Sequence, residues 1–134
     1  MGRLQMLGRD ECLQLLAGKC LGRVAFTERA LPVIRPVNYA LVGHHIVLQT
    51  QPDGLGRRLD GQVVAFEVDE MDSEHGTGWS VVLTGVARLL RRSGELTRQA
   101  SIPLLSLAGD GHDDRVCIVP GQITGRRIRA ADVA

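Results

Sequence analysis

The chain has 134 residues, of which 44% are hydrophobic, a length and an apolar content that suit one domain with its own core. Its 16 basic and 15 acidic residues leave a net charge of +1, and aromatic residues make up only 3%, so composition argues against a nucleic-acid-binding surface. No apolar run approaches the roughly 18 residues that span a bilayer, and the N-terminus lacks the basic-then-apolar order of a signal peptide. We therefore predict a single cytoplasmic domain over residues 1–134, with no nucleic-acid or membrane partner.

Hydrophobic periodicity predicts one short helix followed by several short strands. The helix covers 10–17, and strands are predicted over 21–27, 32–41, 44–49, 62–69, 79 to about 91, 115–119 and 122–129. Gly43 marks a hairpin turn, Gly85 a break or bulge in the fifth strand, and Pro120-Gly121 the separation of the last two strands. Residues 52–56 are predicted as a loop, 57–61 as its end or one helical turn, 93–107 as a helix or irregular crossing, and 109–114 as an exposed loop.

About seven short strands with one or two helices predict a mainly β, barrel-like sheet, because an open sheet of this size would leave costly unpaired edges. The three cysteines, Cys12, Cys20 and Cys117, lack CxxC spacing and sit in or beside apolar runs. We expect them to be buried small hydrophobes rather than metal ligands or reactive thiols.

Sequence motifs of the common catalytic classes are absent. The chain has no GxGxxG after a strand, no P-loop and no GxSxG elbow, and its four histidines show no metal-site spacing. No candidate nucleophile stands beside a base, so we identify no catalytic side chain and no metal ligand. If the protein is an enzyme, a cofactor must supply the reactivity.

Several segments, taken together in order and spacing, resemble the pyridoxamine 5′-phosphate oxidase-like family. They are Gly22-Arg23-Val24-Ala25-Phe26, Arg35-Pro36-Val37-Asn38-Tyr39, Thr50, Phe66-Glu67-Val68-Asp69, Gly78-Trp79-Ser80-Val81 and Ile123-Thr124-Gly125-Arg126-Arg127. The chain looks most like the small flavin-binding subgroup that includes nitroimidazole-resistance-type reductases. This resemblance implies an FMN-binding split β-barrel with short flanking helices, assembled as a homodimer whose interface builds two equivalent cofactor sites.

The resemblance also implies where a flavin would lie. Backbone groups of Pro36 and Val37 and the side chain of Asn38 would meet the polar edge of the isoalloxazine ring. The alternative reading of these residues is a strand edge and an ordinary polar side chain.

The stretch from Thr50 to Arg58 is similar to the family's phosphate-binding segment, in which a hydroxyl, free N–H groups and a lysine surround the phosphate. Thr50 and Gly54 match that segment, but Leu55 falls near the lysine's place. Arg57 or Arg58 would have to replace the lysine, and the alternative is a glycine loop beside two solvated arginines.

Two further positions are implied by the resemblance. Trp79 would lie at the barrel rim near the cofactor, or simply pack there, and Ser80 would make a polar cofactor contact. An arginine of the last strand, Arg126 or Arg127, would reach the cofactor, and strand alternation allows only one of the two to do so.

The function that the resemblance implies is FMN-dependent redox chemistry on a small organic substrate. One alternative is an F420-type deazaflavin oxidoreductase or binding protein, whose acidic cofactor tail would favour a basic groove near Arg57, Arg58, Arg91 and Arg92. The other is a non-catalytic flavin-binding module or a cofactor-free scaffold, which the missing lysine favours. The sequence does not choose between enzyme and binding protein, and it identifies neither the substrate nor the reductant.

Overall fold

The computed structural model describes residues 3–90 and 114–130, which form one antiparallel sheet with two short helices. The elements in chain order are β1 (Arg3–Leu7), α1 (Arg9–Ala17), β2 (Leu21–Glu28), β3 (Leu31–Val42), β4 (His45–Thr50), α2 (Leu55–Leu59), β5 (Val63–Asp72), β6 (Thr77–Leu89) and β7 (Asp114–Arg129). The strand order is β1-β7-β4-β3-β2-β5-β6, and β6 also pairs with β7. That additional pairing closes six of the strands into a ring, so the predicted split β-barrel is confirmed.

The barrel interior is filled by alternate residues of each strand. Val24 of β2, Tyr39 of β3 and Phe66 of β5 are almost fully buried, and the Tyr39 and Phe66 rings meet edge to face at 4.9 Å. Helix α1 covers one end of the barrel with Cys12, Leu13 and Leu16, and the Tyr39 hydroxyl donates a hydrogen bond to the Leu16 carbonyl. The alternation leaves a second set of side chains on the outer face of the sheet, where the candidate site lies.

Most of the predicted elements are present with small shifts in their ends. The hairpin at Gly43 is confirmed, because this residue takes a positive φ of 61° between β3 and β4. The uncertain stretch 57–61 contains the end of α2, and the predicted loop over 52–56 contains its beginning. The predictions for 93–107 and for 109–113 lie outside the described residues.

Strand β1 was missed, although its sequence alternates polar and apolar residues. Its apolar side chains Leu4 and Met6 are each 62% exposed, so β1 is held mainly by pairing with the last part of β7. A strand without a buried face gives only a weak periodic signal, which is why the pattern did not identify it.

The last two predicted strands form one continuous strand, so their separation at Pro120-Gly121 was wrong. The register shifts between Thr84 and Gly85, where Thr84 pairs with Gln122 but Gly85 pairs with Pro120. This is the bulge predicted at Gly85, and its extra residue lies in β7. A proline is tolerated there because a bulge does not require its missing N–H group.

Of the three cysteines, Cys12 and Cys117 are buried as expected, but Cys20 is exposed. Cys20 follows the end of α1 and immediately precedes β2, so it lies in a surface connection rather than inside the barrel. In the part of the chain that the structure describes, neither helix has the length or hydropathy to cross a membrane.

Candidate functional site

Strand β3 divides the matched segment between the two faces of the sheet. Val37 and Tyr39 point into the barrel and are 6% and 1% exposed. Pro36 and Asn38 alternate with them and therefore point outward, with Pro36 exposed and Asn38 half-buried. The outer face of β3 thus presents an apolar ring and a carboxamide one above the other.

Two adjoining cavities lie along β3 and reach its outer face at Pro36 and Asn38. The first, which we call the β2 cavity, has a volume of about 290 Å³ and is lined by Lys19, Cys20, Leu21, Gly22, Arg23, Pro36 and Asp69. The second, the loop cavity, has a volume of about 270 Å³ and is lined by Leu21, Arg35, Pro36, Val37, Asn38, Gln49, Gln51, Asp53 and Leu55. Because Leu21 and Pro36 line both, the two cavities adjoin, and we call them together the shelf across β2 and β3.

The register of the strands explains why polar side chains rim the shelf. Asn38 pairs with Leu21 of β2 on one side and with Gln49 of β4 on the other. Residues directly opposite each other in antiparallel strands point to the same face, so one leucine lies beside two carboxamides. Leu21 and Gln49 were not singled out from the sequence, because their proximity to Asn38 depends on strand pairing.

Gly22 shows how closely the strands pack beneath the shelf. A Cβ at this position would overlap the Phe66 ring and would lie 3.0 Å from the Glu67 carbonyl oxygen. Packing therefore explains the glycine at position 22. Because Gly22 has no side chain, the Phe66 ring can pack directly against the backbone of β2.

The loop between β4 and α2 begins at Thr50, which is only 1% exposed. Its hydroxyl donates a hydrogen bond to the Asp114 carbonyl at 3.1 Å, so its proton is directed to β7 rather than to the shelf. Gly54 takes a positive φ of 87°, and Leu55 beside it is buried. The phosphate role predicted for Thr50 and Gly54 stays a prediction.

Charged side chains around this loop are mostly paired. The Arg35 guanidinium donates from both Nη atoms to Asp53 Oδ2, at 3.1 and 2.7 Å. Arg58 lies 3.0 Å from a Glu28 carboxylate oxygen and also donates to the Asp53 carbonyl. Arg57 is exposed, and among the described residues it makes no ion pair.

A second group of charges borders the β2 cavity. Arg23 Nη1 lies 3.0 Å from Glu67 Oε1 and 3.2 Å from Asp69 Oδ2, so one cation bridges two carboxylates. Burial raises the pKa of Glu67, a hydrogen bond and the negative charge of Asp69 raise it further, and Arg23 opposes these effects. The net charge of the group formed by Arg23, Glu67 and Asp69 therefore depends on pH.

The remaining predicted residues do not themselves line the two cavities. Trp79 is 9% exposed and belongs to the barrel core, consistent with the packing alternative. Ser80 pairs with Asp69 and with Arg126, so all three share the outer face, but Ser80 lies three strands round the ring from Asn38. Arg126 is exposed and lies beside Ser80 on β7.

Arg127 points to the face opposite Arg126, as strand alternation requires. Its guanidinium lies 3.6 Å from Glu11 of α1, and its Nε is buried without a hydrogen-bond partner in the described residues. Arg127 thus links the last strand to the helix, while Arg126 remains available on the outer face.

A small polar cluster occupies the turn between β5 and β6. Ligand atoms of Asp72, Glu74 and His75 lie within 4.8 Å of one another, and all three side chains are exposed. His75 Nδ1 is 2.7 Å from Asp72 Oδ2, and hydrogen bonds from His75 lower the pKa of Asp72. The cluster lies on a solvent-exposed turn and does not line the shelf.

Comparison with known proteins identifies the family. The sequence profile described as pyridoxamine 5′-phosphate oxidase matches residues 8–127, which is most of the chain. The chain belongs to the pyridoxamine 5′-phosphate oxidase family. The resemblance drawn from the sequence motifs is thereby confirmed.

Individual relatives agree in length and fold. An uncharacterized protein of Mycobacterium tuberculosis is 39% identical over 132 residues, covering 92% of this chain and 85% of that protein. The solved structure of an FAD-binding protein from Mycobacterium smegmatis is 32% identical, covers 93% of this chain and 100% of its own, and superposes with a TM-score of 0.79. An FAD-binding protein from Mesorhizobium loti has the same fold, with a TM-score of 0.79 at 21% identity, covering 96% of this chain and 98% of its own.

Proposed function

We propose that this protein binds a flavin nucleotide on the shelf formed by the two cavities, and that it uses the flavin for electron transfer to or from a small organic molecule. The observation that carries the proposal is the pair of cavities joined at Leu21 and Pro36 and edged by Asn38 and Gln49. A flat heterocycle needs apolar contacts for its faces and polar groups at its edge, and the shelf offers both.

The residues of the shelf fit a flavin in kind and in size. Each cavity is close to the roughly 300 Å³ at which small-molecule pockets begin, and the two share Leu21 and Pro36 in their linings. Leu21 is 58% exposed, so its apolar surface would be available to one face of a flavin ring. A bound flavin would supply hydride or single-electron transfer at its ring system, while this chain's residues bind and orient it.

The loop from Thr50 to Arg58 is proposed to hold the phosphate end. Arg57 is the better candidate to replace the family's lysine, because Arg58 is already paired with Glu28. The motifs favour FMN, whose phosphate is terminal. FAD is the second candidate, favoured by the 32% identical Mycobacterium smegmatis protein, which is named for binding FAD.

The deazaflavin alternative is less well supported by the described residues. A long acidic tail requires several available cations, but Arg35 and Arg58 both contact carboxylates. Arg91 and Arg92 lie outside the described residues. A cofactor-free scaffold is the alternative from another functional class. The binding experiment described below distinguishes such a scaffold from a flavin-binding protein.

A homodimer is part of the proposal. Ile34, Val63 and Val82 are 66%, 71% and 37% exposed and share the outer face of the sheet. Such apolar exposure favours a protein partner, and a two-fold interface would cover both copies equally. Within one protomer Ser80 lies opposite Asp69 of the β2 cavity and Arg126 lies beside Ser80 on β7, so these two residues would meet a cofactor at the edge of the shelf or across the interface.

The direct test is a fluorescence titration of apo-protein with FMN, FAD, riboflavin and an F420-type deazaflavin. We expect FMN or FAD to bind with a Kd well below about 100 µM, which corresponds to about −5.5 kcal/mol. Asn38→Ala should weaken FMN and riboflavin alike, because it removes a contact to the ring. Arg57→Ala combined with Arg58→Ala should weaken FMN at least about tenfold, the loss of a charge-assisted contact, and leave riboflavin unchanged.

Arg9→Ala, which removes an exposed arginine at the start of α1, is the matched control for the charge change. If none of the four compounds binds the wild-type protein below about 100 µM, the flavin proposal is abandoned in favour of the cofactor-free scaffold.

A further inference from the structure

The loop cavity is lined by a carboxylate of the protein itself, that of Asp53. Its described lining includes one basic residue, Arg35, and one acidic residue, Asp53, and the two are joined by hydrogen bonds of 3.1 and 2.7 Å. Both Nη atoms of Arg35 donate to a single oxygen, Asp53 Oδ2. The other oxygen, Oδ1, accepts from the Leu55 backbone N–H at 3.1 Å, which holds the carboxylate in place.

A guanidinium and a backbone N–H are also the kinds of donor that a phosphate recruits. The other arginines of the region do not take this place. Arg58 contacts Glu28 and the Asp53 carbonyl, and Arg57 does not line the cavity. Within the described lining of the loop cavity, Arg35 is therefore the cation that a ligand phosphate would meet, in addition to the contact proposed for Arg57 outside that lining, and Asp53 already engages Arg35.

We propose that Asp53 is an internal competitor for the cofactor phosphate, and that it sets how strongly this chain prefers phosphorylated over unphosphorylated flavin. This inference rests on the proposed flavin site. A phosphate that enters the cavity must either displace the Asp53 carboxylate from Arg35 or tolerate its negative charge nearby, and both lower the affinity. The Arg35 and Asp53 side chains are 37% and 40% exposed, so the exchange requires no opening of the core.

The decisive variant is Asp53→Asn. The amide oxygen of asparagine can still accept from Leu55 N–H, so the loop keeps this contact, but the negative charge is removed and Arg35 is released. We expect the affinity for FMN to rise roughly three- to tenfold, the range for removing an exposed charge competitor, while the affinity for riboflavin changes less than about twofold. Arg35→Gln should have the opposite effect and lower the affinity for FMN towards the affinity for riboflavin.

Glu74→Gln is the matched control, since it removes an exposed carboxylate on the β5–β6 turn, and it should leave both affinities unchanged. Equal or weaker FMN binding by Asp53→Asn than by the wild type would overturn the inference and assign Asp53 to positioning Arg35.

Failure of the proposed flavin function can be distinguished from failure of the inference about Asp53. If neither FMN nor riboflavin binds any variant, the flavin proposal fails, and inorganic phosphate then becomes the probe. Phosphate is titrated into wild-type and Asp53→Asn protein while the backbone amide signals of residues 53–55 are followed by NMR. Tighter phosphate binding by the variant supports the competitor role independently of any flavin, and equal binding or none overturns it.

Discussion

Glu67 is a residue of the outer face whose ionisation is altered by its surroundings. Burial raises its pKa from the ordinary value of 4.5, because it disfavours the charged form, and Asp69 adds to the effect by hydrogen bonding and charge. Arg23 reduces the shift but does not reverse it. The carboxyl is thus easier to protonate in the folded than in the unfolded chain.

A prediction about pH follows for this residue. Because the folded chain holds the Glu67 proton more tightly, its contribution to stability is present below pH 4.5 and is lost as the pH rises through the raised pKa. Glu67→Gln removes this contribution. The free energy of unfolding of the variant, measured by urea denaturation and expressed relative to wild type, should therefore increase with pH above 4.5.

The control for this measurement is Glu74→Gln, which alters an exposed carboxylate on the β5–β6 turn. Parallel pH curves for wild type and Glu67→Gln would show that burial and Asp69 do not raise the pKa of Glu67 above 4.5 in the folded protein.

At the scale of elements, the pairing of β6 with β7, which contains the bulge, is the feature that closes the ring of strands. β7 pairs with β4 through its first residues, with β6 along most of its length, and with β1 through its last residues. The close approach of β6 and β7 occurs at Gly85, where a Cβ would overlap the Val119 carbonyl oxygen and lie 3.0 Å from the Val119 carbonyl carbon. This contact is with backbone, which cannot move aside as a side chain can.

We predict that Gly85→Ala destabilises the protein by about 1–3 kcal/mol, because the added methyl group forces the two strands apart. Gly121→Ala is the matched control: it lies in the same bulge, but its Cβ would meet only the Thr84 carbonyl oxygen at 3.5 Å, an ordinary contact. Its effect should remain within about 0.5 kcal/mol. Urea denaturation of both variants measures the difference, and equal stabilities would contradict the close packing of these strands.

At the scale of the whole molecule, closure of the ring leaves an outer face that is partly apolar. Its exposed residues Ile34 and Val63 come from β3 and β5, with β2 between them. Together with the exposed Val82 of β6, which neighbours β5, these side chains form a surface rather than scattered exceptions. We predict that this surface is the contact between two protomers.

Light scattering at micromolar concentration should give the mass of a dimer, twice the 14.5 kDa of one chain. Ile34→Glu combined with Val63→Glu should yield a folded monomer, since it places two charges in each half of the interface. Leu4→Glu is the control, because Leu4 is similarly exposed at 62% but lies on β1 at the other end of the strand order. A monomeric wild-type protein would contradict the dimer and any role of Ser80 and Arg126 across it.

Sequence alone was sufficient for the family, the barrel and the approximate limits of most elements. These depend on local signals: alternation in the strands, Gly43 at a hairpin, Gly85 at a bulge, and the order of matched segments. It failed where the local signal was weak or misleading, as in β1, which has no buried face, and at Pro120, which a bulge accommodates within one strand.

Only the tertiary structure decided how the candidate residues are arranged, because strand pairing and loop packing depend on residues far apart in sequence. It places Leu21 and Gln49 beside Asn38, and it places Ser80 three strands round the ring from Asn38. It directs the Thr50 hydroxyl to Asp114 and joins Arg35 to Asp53 across 18 positions of the chain. Residue type gives each side chain its chemistry, but the fold determines which partner it meets.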